Sequence, residues 1–234
     1  MQVRRASGLI LDVAGQVGGA MPSTTTLYDR SRFQNNSSAW TGATWTQLPS
    51  KLWVLTFDGN DQITIPNTLA YCLNGYKEVT CLAWVKRTVI NPASSSYILQ
   101  ILNGVGSTRL LLRSISTTGN ISLAARSDNE VSSQSIDSAF IPNIYEWSLW
   151  GGTISLSGSS VTAYYNTTSQ VSGGKVFTYP YFNNTVGISF IGFSGGGAYL
   201  TGMIAKLRIW VRALSMAAIG TIYDNEKQYF GIGK

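Results

Sequence analysis

Two pairs of carboxylates are spaced closely enough to raise the question of glycoside hydrolysis. That reaction needs two carboxyl groups about 5–5.5 Å apart for retention, or ~6.5–9.5 Å apart for inversion. Asp128 and Glu130 lie among serines and asparagines, in a sequence that is typical of a turn. Asp224 and Glu226 are two positions apart on a predicted helix, so their side chains point in different directions. We therefore expect no catalytic residues in this chain.

Nucleophilic and cofactor chemistry have equally little support. The chain contains no histidine, which excludes Ser-His-Asp and Cys-His arrangements. The run Ser194-Gly195-Gly196-Gly197 leads into Ala198-Tyr199 rather than a helix, which predicts a β-turn and not a phosphate-binding loop. Cys72 and Cys81 lack the spacing of a zinc site. Two free thiols are the favoured interpretation, and a disulfide between them is the alternative. The sequence thus predicts a protein that is not an enzyme and needs no cofactor.

Aromatic side chains offer another chemistry, the stacking of sugar rings beside amide and hydroxyl groups. Twelve tyrosines and seven tryptophans supply ample material, since each ring combines an apolar body with a polar tip. The candidates for such a surface are Tyr145, Trp147, Trp150, Tyr164, Tyr165, Tyr179 and Tyr181. The alternative is that alternate aromatic residues of the strands fill the core, and that Tyr179-Pro180-Tyr181 is an ordinary loop.

The charge of the chain is basic but dispersed. The net charge is +6, yet the densest basic runs are only Arg4-Arg5 and Lys86-Arg87. Contacts to phosphates normally need a concentrated basic patch, so we expect no binding of nucleic acid. Only 12% of the residues are charged, whereas 44% are hydrophobic, which excludes an intrinsically disordered chain.

Neither a membrane span nor a secretory leader is predicted. No window approaches the ~18 apolar residues that a span needs, and Asp12 interrupts the short apolar run Leu9-Ile10-Leu11. We therefore expect synthesis in a host cytoplasm without a signal peptide. Five Asn-x-Ser/Thr sequons have little weight in a chain so rich in these residue types: Asn35, Asn36, Asn120, Asn166 and Asn183.

The elements that must position these residues are predicted to be short β-strands. Runs of alternating or β-branched residues recur, separated by Gly, Asn, Ser and Pro, as in an all-β sandwich. The strand at 79–86 has Thr80, Leu82, Trp84 and Lys86 on one face, because successive side chains of a strand alternate. The Asp58-Gly59 pair predicts a tight turn between strands at 52–57 and 62–66.

One short helix is predicted near the carboxyl end. Ser215 is a plausible N-cap, and Leu214 with Ile219 has the spacing of a hydrophobic staple. No linker and no repeat divides the chain. We therefore expect an N-terminal arm at residues 1–8 and one domain at residues 9–234.

Several segments together resemble a known family. These are Gly-Leu-Ile-Leu at 8–11, Tyr-Asp-Arg-Ser-Arg-Phe-Gln-Asn-Asn at 28–36, Phe-Asp-Gly-Asn-Asp at 57–61, Ala-Trp-Val-Lys at 83–86 and Arg-Ala-Leu-Ser at 212–215. They resemble the first strand and loop, the recurrent hairpin, the tryptophan strand and the helix entry of laminin G-like domains in the concanavalin A-like lectin/glucanase superfamily. The resemblance covers residues 8 to about 228 and implies a two-sheet antiparallel jelly roll.

The resemblance also has consequences for individual residues. It implies that Trp84 and Trp210 fill the space between the two sheets. Related laminarinases have a Glu-x-Asp-x-x-Glu run, which this chain lacks. The closing strand of the family usually begins with an acidic pair, where this chain has Ala205-Lys206.

Calcium is the metal that the resemblance suggests. Laminin G-like domains sometimes hold Ca²⁺ with loop aspartates, and the ion takes about six to eight oxygen ligands. Asp29, Asp58 and Asp61 are the candidates here. A plain hairpin turn at Asp58-Gly59 is the favoured interpretation, so metal binding stays open at this point.

The function expected from the resemblance is structural. Solitary domains with these motifs look like those of phage and environmental genomes, which implies a virion structural protein, either a capsid decoration or a tail-surface protein. Its partners would then be other virion proteins and further copies of itself, with the arm at residues 1–8 ordering on a partner at the virion surface. The alternative is a carbohydrate-binding or adhesion module whose partners are cell-surface glycans.

Overall fold

The computed structural model describes residues 8–89, 94–103, 107–127, 133–172, 174–183 and 187–233. Within these ranges the chain forms sixteen strands and two α-helices, followed by a 3₁₀ helix. They are β1 Leu9–Val13, β2 Gln16–Val17, β3 Ala39–Thr41, β4 Thr44–Gln47, β5 Leu52–Asp58, β6 Gln62–Ile65, α1 Thr68–Tyr71, β7 Glu78–Arg87, β8 Ser96–Leu102, β9 Thr108–Ser114, β10 Ile121–Ala125, β11 Gln134–Asp137, β12 Ser148–Ser155, β13 Ser160–Tyr165, β14 Thr168–Ser172, β15 Ser189–Ile191, β16 Thr201–Trp210, α2 Met216–Glu226 and the 3₁₀ helix Lys227–Phe230.

The strands form two antiparallel sheets. The larger sheet has the order β14-β13-β12-β7-β16-β5-β2, with β1 also paired to β16 and β4 to β5. The smaller sheet has the order β11-β10-β9-β8-β15-β6-β3. This arrangement confirms the predicted all-β, two-sheet antiparallel sandwich with a short C-terminal helix. The single-turn helix α1 was not predicted.

The core lies between the two sheets, and β7 shows how the sequence positions it. Val79, Cys81, Ala83 and Val85 point into this core with the apolar side chains of β8, β9 and β10. The alternate residues of β7 point to the opposite face of the larger sheet, as the period of two predicts. No described helix is long and apolar enough to cross a membrane.

The outer face of the larger sheet carries a second apolar cluster, and it corrects the expectation for two tryptophans. Trp84 and Trp210 belong to this cluster rather than to the space between the sheets. The helix α2 and the 3₁₀ helix cover them through Ile219, Tyr223 and Phe230. The expectation was wrong because a large buried ring can be covered by a helix as well as by a second sheet.

The covering helix begins where its capping residues predict. The Ser215 hydroxyl accepts a hydrogen bond from the amide of Ala218 at 3.2 Å, which satisfies an otherwise unpaired helix N–H. Leu214 and Ile219 are both buried in the outer cluster. The predicted cap and staple are therefore confirmed.

Two consecutive glycines, which usually indicate a turn, lie instead inside the central strand β12. A β-carbon on Gly151 would come within 1.9 Å of the Cys81 carbonyl oxygen, and one on Gly152 within 2.0 Å of the Thr162 carbonyl oxygen. Only glycine allows β12 to pair with β7 and β13 at once. The alternation of hydroxyl and apolar residues at 153–156 predicts a strand only for the last part of β12.

Candidate functional site

An open cleft of about 410 Å³ lies on the outer face of the larger sheet, beside the C-terminal helices. Strand ends, two loops and the C-terminal segment all contribute to its lining. The aromatic residues of the lining are Tyr145, Trp147, Tyr165, Tyr223 and Phe230, and the charged or amide side chains are Lys86, Glu146 and Asn166.

Tyr145 stands on the loop that leads into β12, and Arg87 holds that loop. The Tyr145 amide donates to the Arg87 carbonyl at 2.8 Å. The buried Arg87 guanidinium donates to the Pro142 carbonyl at 2.7 Å and to the Ser114 hydroxyl at 2.6 Å. Tyr145 has a positive φ of 62°, which is uncommon for a bulky residue, and its side chain is 61% exposed. The loop therefore presents this ring to solvent at the cleft.

The opposite wall comes from the turn between β13 and β14. The Asn166 side-chain oxygen accepts from the Leu149 amide at 2.9 Å, and the Asn166 amide donates to the Leu149 carbonyl at 2.8 Å. Tyr165 stacks on Phe140 with ring centroids 5.9 Å apart. These contacts fix the turn. Among the described residues, the Asn166 side-chain nitrogen, which has two N–H groups, has no hydrogen-bond partner.

The floor of the cleft is a stack of aromatic rings. Phe230 lies 4.3 Å from Trp84 and 4.8 Å from Trp147, centroid to centroid. The Trp84 indole nitrogen donates to the Glu226 carboxylate at 2.9 Å, so the ring and the end of α2 are tied together. The floor is therefore apolar, and its rings contact one another.

Glu226 also neutralises two cations beneath the C-terminal helices. Its carboxylate lies 2.6 Å from the Arg208 guanidinium and 3.5 Å from the Lys206 ammonium. Burial lowers the pKa of Lys206, and the Glu226 charge opposes that shift. The resemblance to laminin G-like domains places an acidic pair at Ala205-Lys206 of the closing strand. In this chain, the acid that faces the strand is Glu226 of α2.

Charge is sparse in the cleft itself. The Glu146 carboxylate accepts from the Asn143 side chain at 2.9 Å. Lys86 is partly buried, and it forms no ion pair with any of the described residues. Aromatic faces beside amide, carboxylate and ammonium groups can stack on an apolar ligand face and bond to its hydroxyls.

The seven aromatic residues predicted as sugar-binding candidates separate into three groups. Tyr145, Trp147 and Tyr165 line the cleft, whereas Trp150 lies between the sheets and Tyr164 is buried in the outer cluster. The remaining two, Tyr179 and Tyr181, form a half-exposed pair on the side of the smaller sheet, where the Tyr179 amide donates to Ser127.

Lys86, Asn166, Tyr223 and Phe230 were missed as site residues. They come from four separate elements, and no local spacing relates them. The alternation along β7 does place Lys86 on the outer face with Trp84, and this was the one usable signal.

The three calcium candidates are not brought together. Both carboxylate oxygens of Asp29 are occupied by donors from its own loop and from β1: the Asp12, Ser31 and Asn35 amides and the Ser31 hydroxyl. Asp58 is exposed in the hairpin, where Asp61 accepts from its amide at 2.8 Å. No group of three metal-binding side chains occurs within the described ranges. Asp29 is thus a loop-organising residue.

The remaining residues considered for chemistry are the two carboxylate pairs and the two cysteines. Asp224 is exposed and pairs with Lys227 at 2.8 Å, while Glu226 points into the protein, so these two carboxylates diverge as predicted. Both cysteines are free thiols, and burial raises the pKa of Cys81 to about 12. Asp128 and Glu130, like residues 1–7 of the predicted arm, lie outside the described residues.

The solved structures of similar fold include binding domains of neurotoxins and of a mosquitocidal protein. The binding domain of botulinum neurotoxin DC in complex with SialylT has a TM-score of 0.66 and 15% identity, over 94% of this chain and 52% of its own. The botulinum neurotoxin serotype D ligand-binding domain in complex with N-acetylneuraminic acid has a TM-score of 0.67 and 16% identity, over 96% and 54%. The binding domain of Paraclostridial mosquitocidal protein 1 has a TM-score of 0.70 and 12% identity, over 96% and 55%.

This chain therefore spans about half the length of those domains, and at such identities the likeness concerns the fold. A comparison with curated proteins gave no match. The family model described as the concanavalin A-like lectin/glucanases superfamily matches residues 57–220, which run from β5 into α2. Together with the two-sheet antiparallel sandwich, this match shows that the chain belongs to the concanavalin A-like lectin/glucanases superfamily.

Proposed function

We propose that this chain is a non-enzymatic carbohydrate-binding module, and that the cleft beside Tyr145 is its binding site. The observation that carries the proposal is the exposed Tyr145 ring, which Arg87 holds at the rim of a cleft with a stacked aromatic floor. An exposed ring in a backbone conformation that is unfavourable for tyrosine is unusual in a purely structural loop.

The chemistry of the cleft suits a sugar. A sugar ring has an apolar face of C–H groups and an edge of hydroxyls. The Tyr145 ring can stack on the face, while the Asn166 side-chain N–H groups and the Glu146 carboxylate can bond to the hydroxyls. The volume of about 410 Å³ falls within the ~300–1,000 Å³ of small-ligand sites.

Two further points support binding rather than catalysis. Glu146 is the one carboxylate among the lining residues that the structure describes, whereas glycoside hydrolysis needs two. Two of the similar solved structures are titled as binding domains in complex with SialylT and with N-acetylneuraminic acid. The virion role expected from the sequence has no support in these comparisons, so glycan binding, its alternative, becomes the leading proposal.

Replacement of Tyr145 tests the site. We expect the purified protein to bind a defined subset of glycans on an array, and Tyr145→Ala to weaken the best of them at least tenfold, or about 1.4 kcal/mol. The reason is the loss of the stacking face. The melting temperature should stay unchanged, because the ring is mostly exposed.

Tyr28→Ala is the matched control, since the Tyr28 side chain is 60% exposed and lies outside the cleft. Its affinity should equal that of the unmodified protein. An array without any bound glycan, or an equal loss in both variants, would contradict the proposal.

A further inference from the structure

A second depression borders the cleft on the same face. This second lobe has a volume of about 330 Å³ and is bounded by Leu48, Pro49, Ser50, Gln228 and Tyr229. It shares Lys86, Trp147, Phe230 and Gly231 with the first lobe, so the two lobes meet over one common wall. Each lobe reaches the ~300 Å³ at which small-ligand sites begin. The two lobes together, here called the groove, therefore have room for more than one sugar ring.

The second lobe is fixed by contacts of its own. The Ser50 hydroxyl donates to the Tyr229 carbonyl at 2.6 Å, which links the turn before β5 to the 3₁₀ helix. The Tyr229 ring lies 5.0 Å from the Lys206 ammonium, whose charge Glu226 neutralises. Contacts within the fold therefore fix the residues that line the second lobe, as they do those of the first.

Charge is distributed unequally between the lobes. The first lobe has Glu146 on its wall, whereas the described lining of the second contains no acidic residue. Lys86 is the charged residue that both lobes share, and no carboxylate pairs with it in the described part of the chain. A partly buried lysine that lines the site without a counter-ion among the described residues favours an anionic ligand group, because that group would supply the pairing.

We propose that the groove binds a linear acidic oligosaccharide that spans both lobes. One neutral ring stacks on Tyr145 in the first lobe, and the carboxylate or sulfate of a neighbouring residue pairs with Lys86 from the second lobe. This inference rests on the proposed function. It adds the ligand class and the order in which the neutral and acidic sugar residues occupy the two lobes.

The experiment is calorimetric titration with neutral, carboxylated and sulfated oligosaccharides of two, three and four residues. We expect the acidic series to bind at least tenfold more tightly than the neutral series at low salt, with affinity rising from two to four residues. Lys86→Gln should abolish the preference for acidic ligands, because it should weaken the acidic series far more than the neutral series. The carboxylated and sulfated arms identify which anion is preferred.

Lys51→Gln is the control, since Lys51 is exposed beside the second lobe but is not part of its lining. It should retain the acidic preference. Equal affinity for neutral and acidic ligands would overturn this inference and leave the proposed function intact, and so would an unaltered preference in Lys86→Gln. The absence of binding to every series would overturn both.

Discussion

Asp29 and Asp61 are both nearly excluded from solvent, at 5% and 3% exposure, yet their carboxylates have different surroundings. Asp29 accepts hydrogen bonds on both oxygens, which satisfies a buried charge. Asp61 accepts on one oxygen from the Asp58 amide, while its other oxygen is buried without a partner in the described structure. Burial raises the pKa of the Asp61 carboxyl above its ordinary value of 3.8.

Asp61→Asn should therefore stabilise the protein at neutral pH. Below pH 3.8 the carboxyl is protonated in both the folded and the unfolded chain. As the pH rises through the raised pKa of the folded state, the fold must hold a buried charge and loses stability relative to the variant. The difference in unfolding free energy, measured by urea denaturation, should grow between pH 3.8 and neutrality.

Asp137→Asn removes the same charge from an exposed position of β11 and controls for net charge. A constant difference between Asp61→Asn and the unmodified protein across this pH range would show that the Asp61 charge is already satisfied.

Glu226 is the residue on which the C-terminal helices depend. Its side chain is 11% exposed and faces Lys206 and Arg208, which are 16% and 14% exposed. Removal of one partner from a buried ion network leaves the other charges uncompensated. We expect Glu226→Gln to lower the unfolding free energy by about 3 kcal/mol.

Asp224→Asn is the matched comparison, because Asp224 forms an exposed pair with Lys227 on the same helix. Its cost should be about 0.5 kcal/mol or less. Urea denaturation of both variants at neutral pH measures the difference. Similar small losses in the two variants would mean that packing, rather than charge, holds the helices.

Among the elements, β7 and α2 could be predicted from sequence, whereas the part of β12 at residues 148–152 could not. The alternation of β7 and the cap of α2 are local patterns, so residues 79–86 and 215–219 contain the information themselves. The path of β12 depends on how closely two neighbouring backbones approach Gly151 and Gly152, and that distance exists only after the sheet has formed. The packing of the C-terminal helices over Trp84 was not predicted either, because it too exists only after the sheet has formed.

Two glycine replacements test this account of β12. Gly151→Ala would force its β-carbon against the Cys81 carbonyl, at a positive φ of 145°, so we expect a loss above about 4 kcal/mol or no soluble protein. Gly220→Ala, inside α2 with open space around it, should instead gain about 0.5–1 kcal/mol. Soluble yield and melting temperature report both, and a folded Gly151→Ala variant of normal stability would refute the close approach.

At the scale of the whole molecule, the cleft is an assembly of distant segments. Lys86, the loop at 145–147, the turn at 165–166 and the C-terminal residues 223–232 meet only after the larger sheet and its helices are in place. The sequence could supply candidate aromatic rings, and three of seven line the cleft. It could not supply their partners, because those are related by packing and not by spacing.

The cover over the outer face has a consequence for the order of events during synthesis. Strand β16 and then α2 leave the ribosome after the other described strands, so Leu82, Trp84 and Leu149 have no cover until residues 216–230 follow. Until residues 216–230 are synthesised, these apolar side chains of the nascent chain lack their cover and are open to aggregation. The same late segment supplies Tyr223 and Phe230 to the cleft, so the molecule becomes competent to bind only at the moment when this surface disappears.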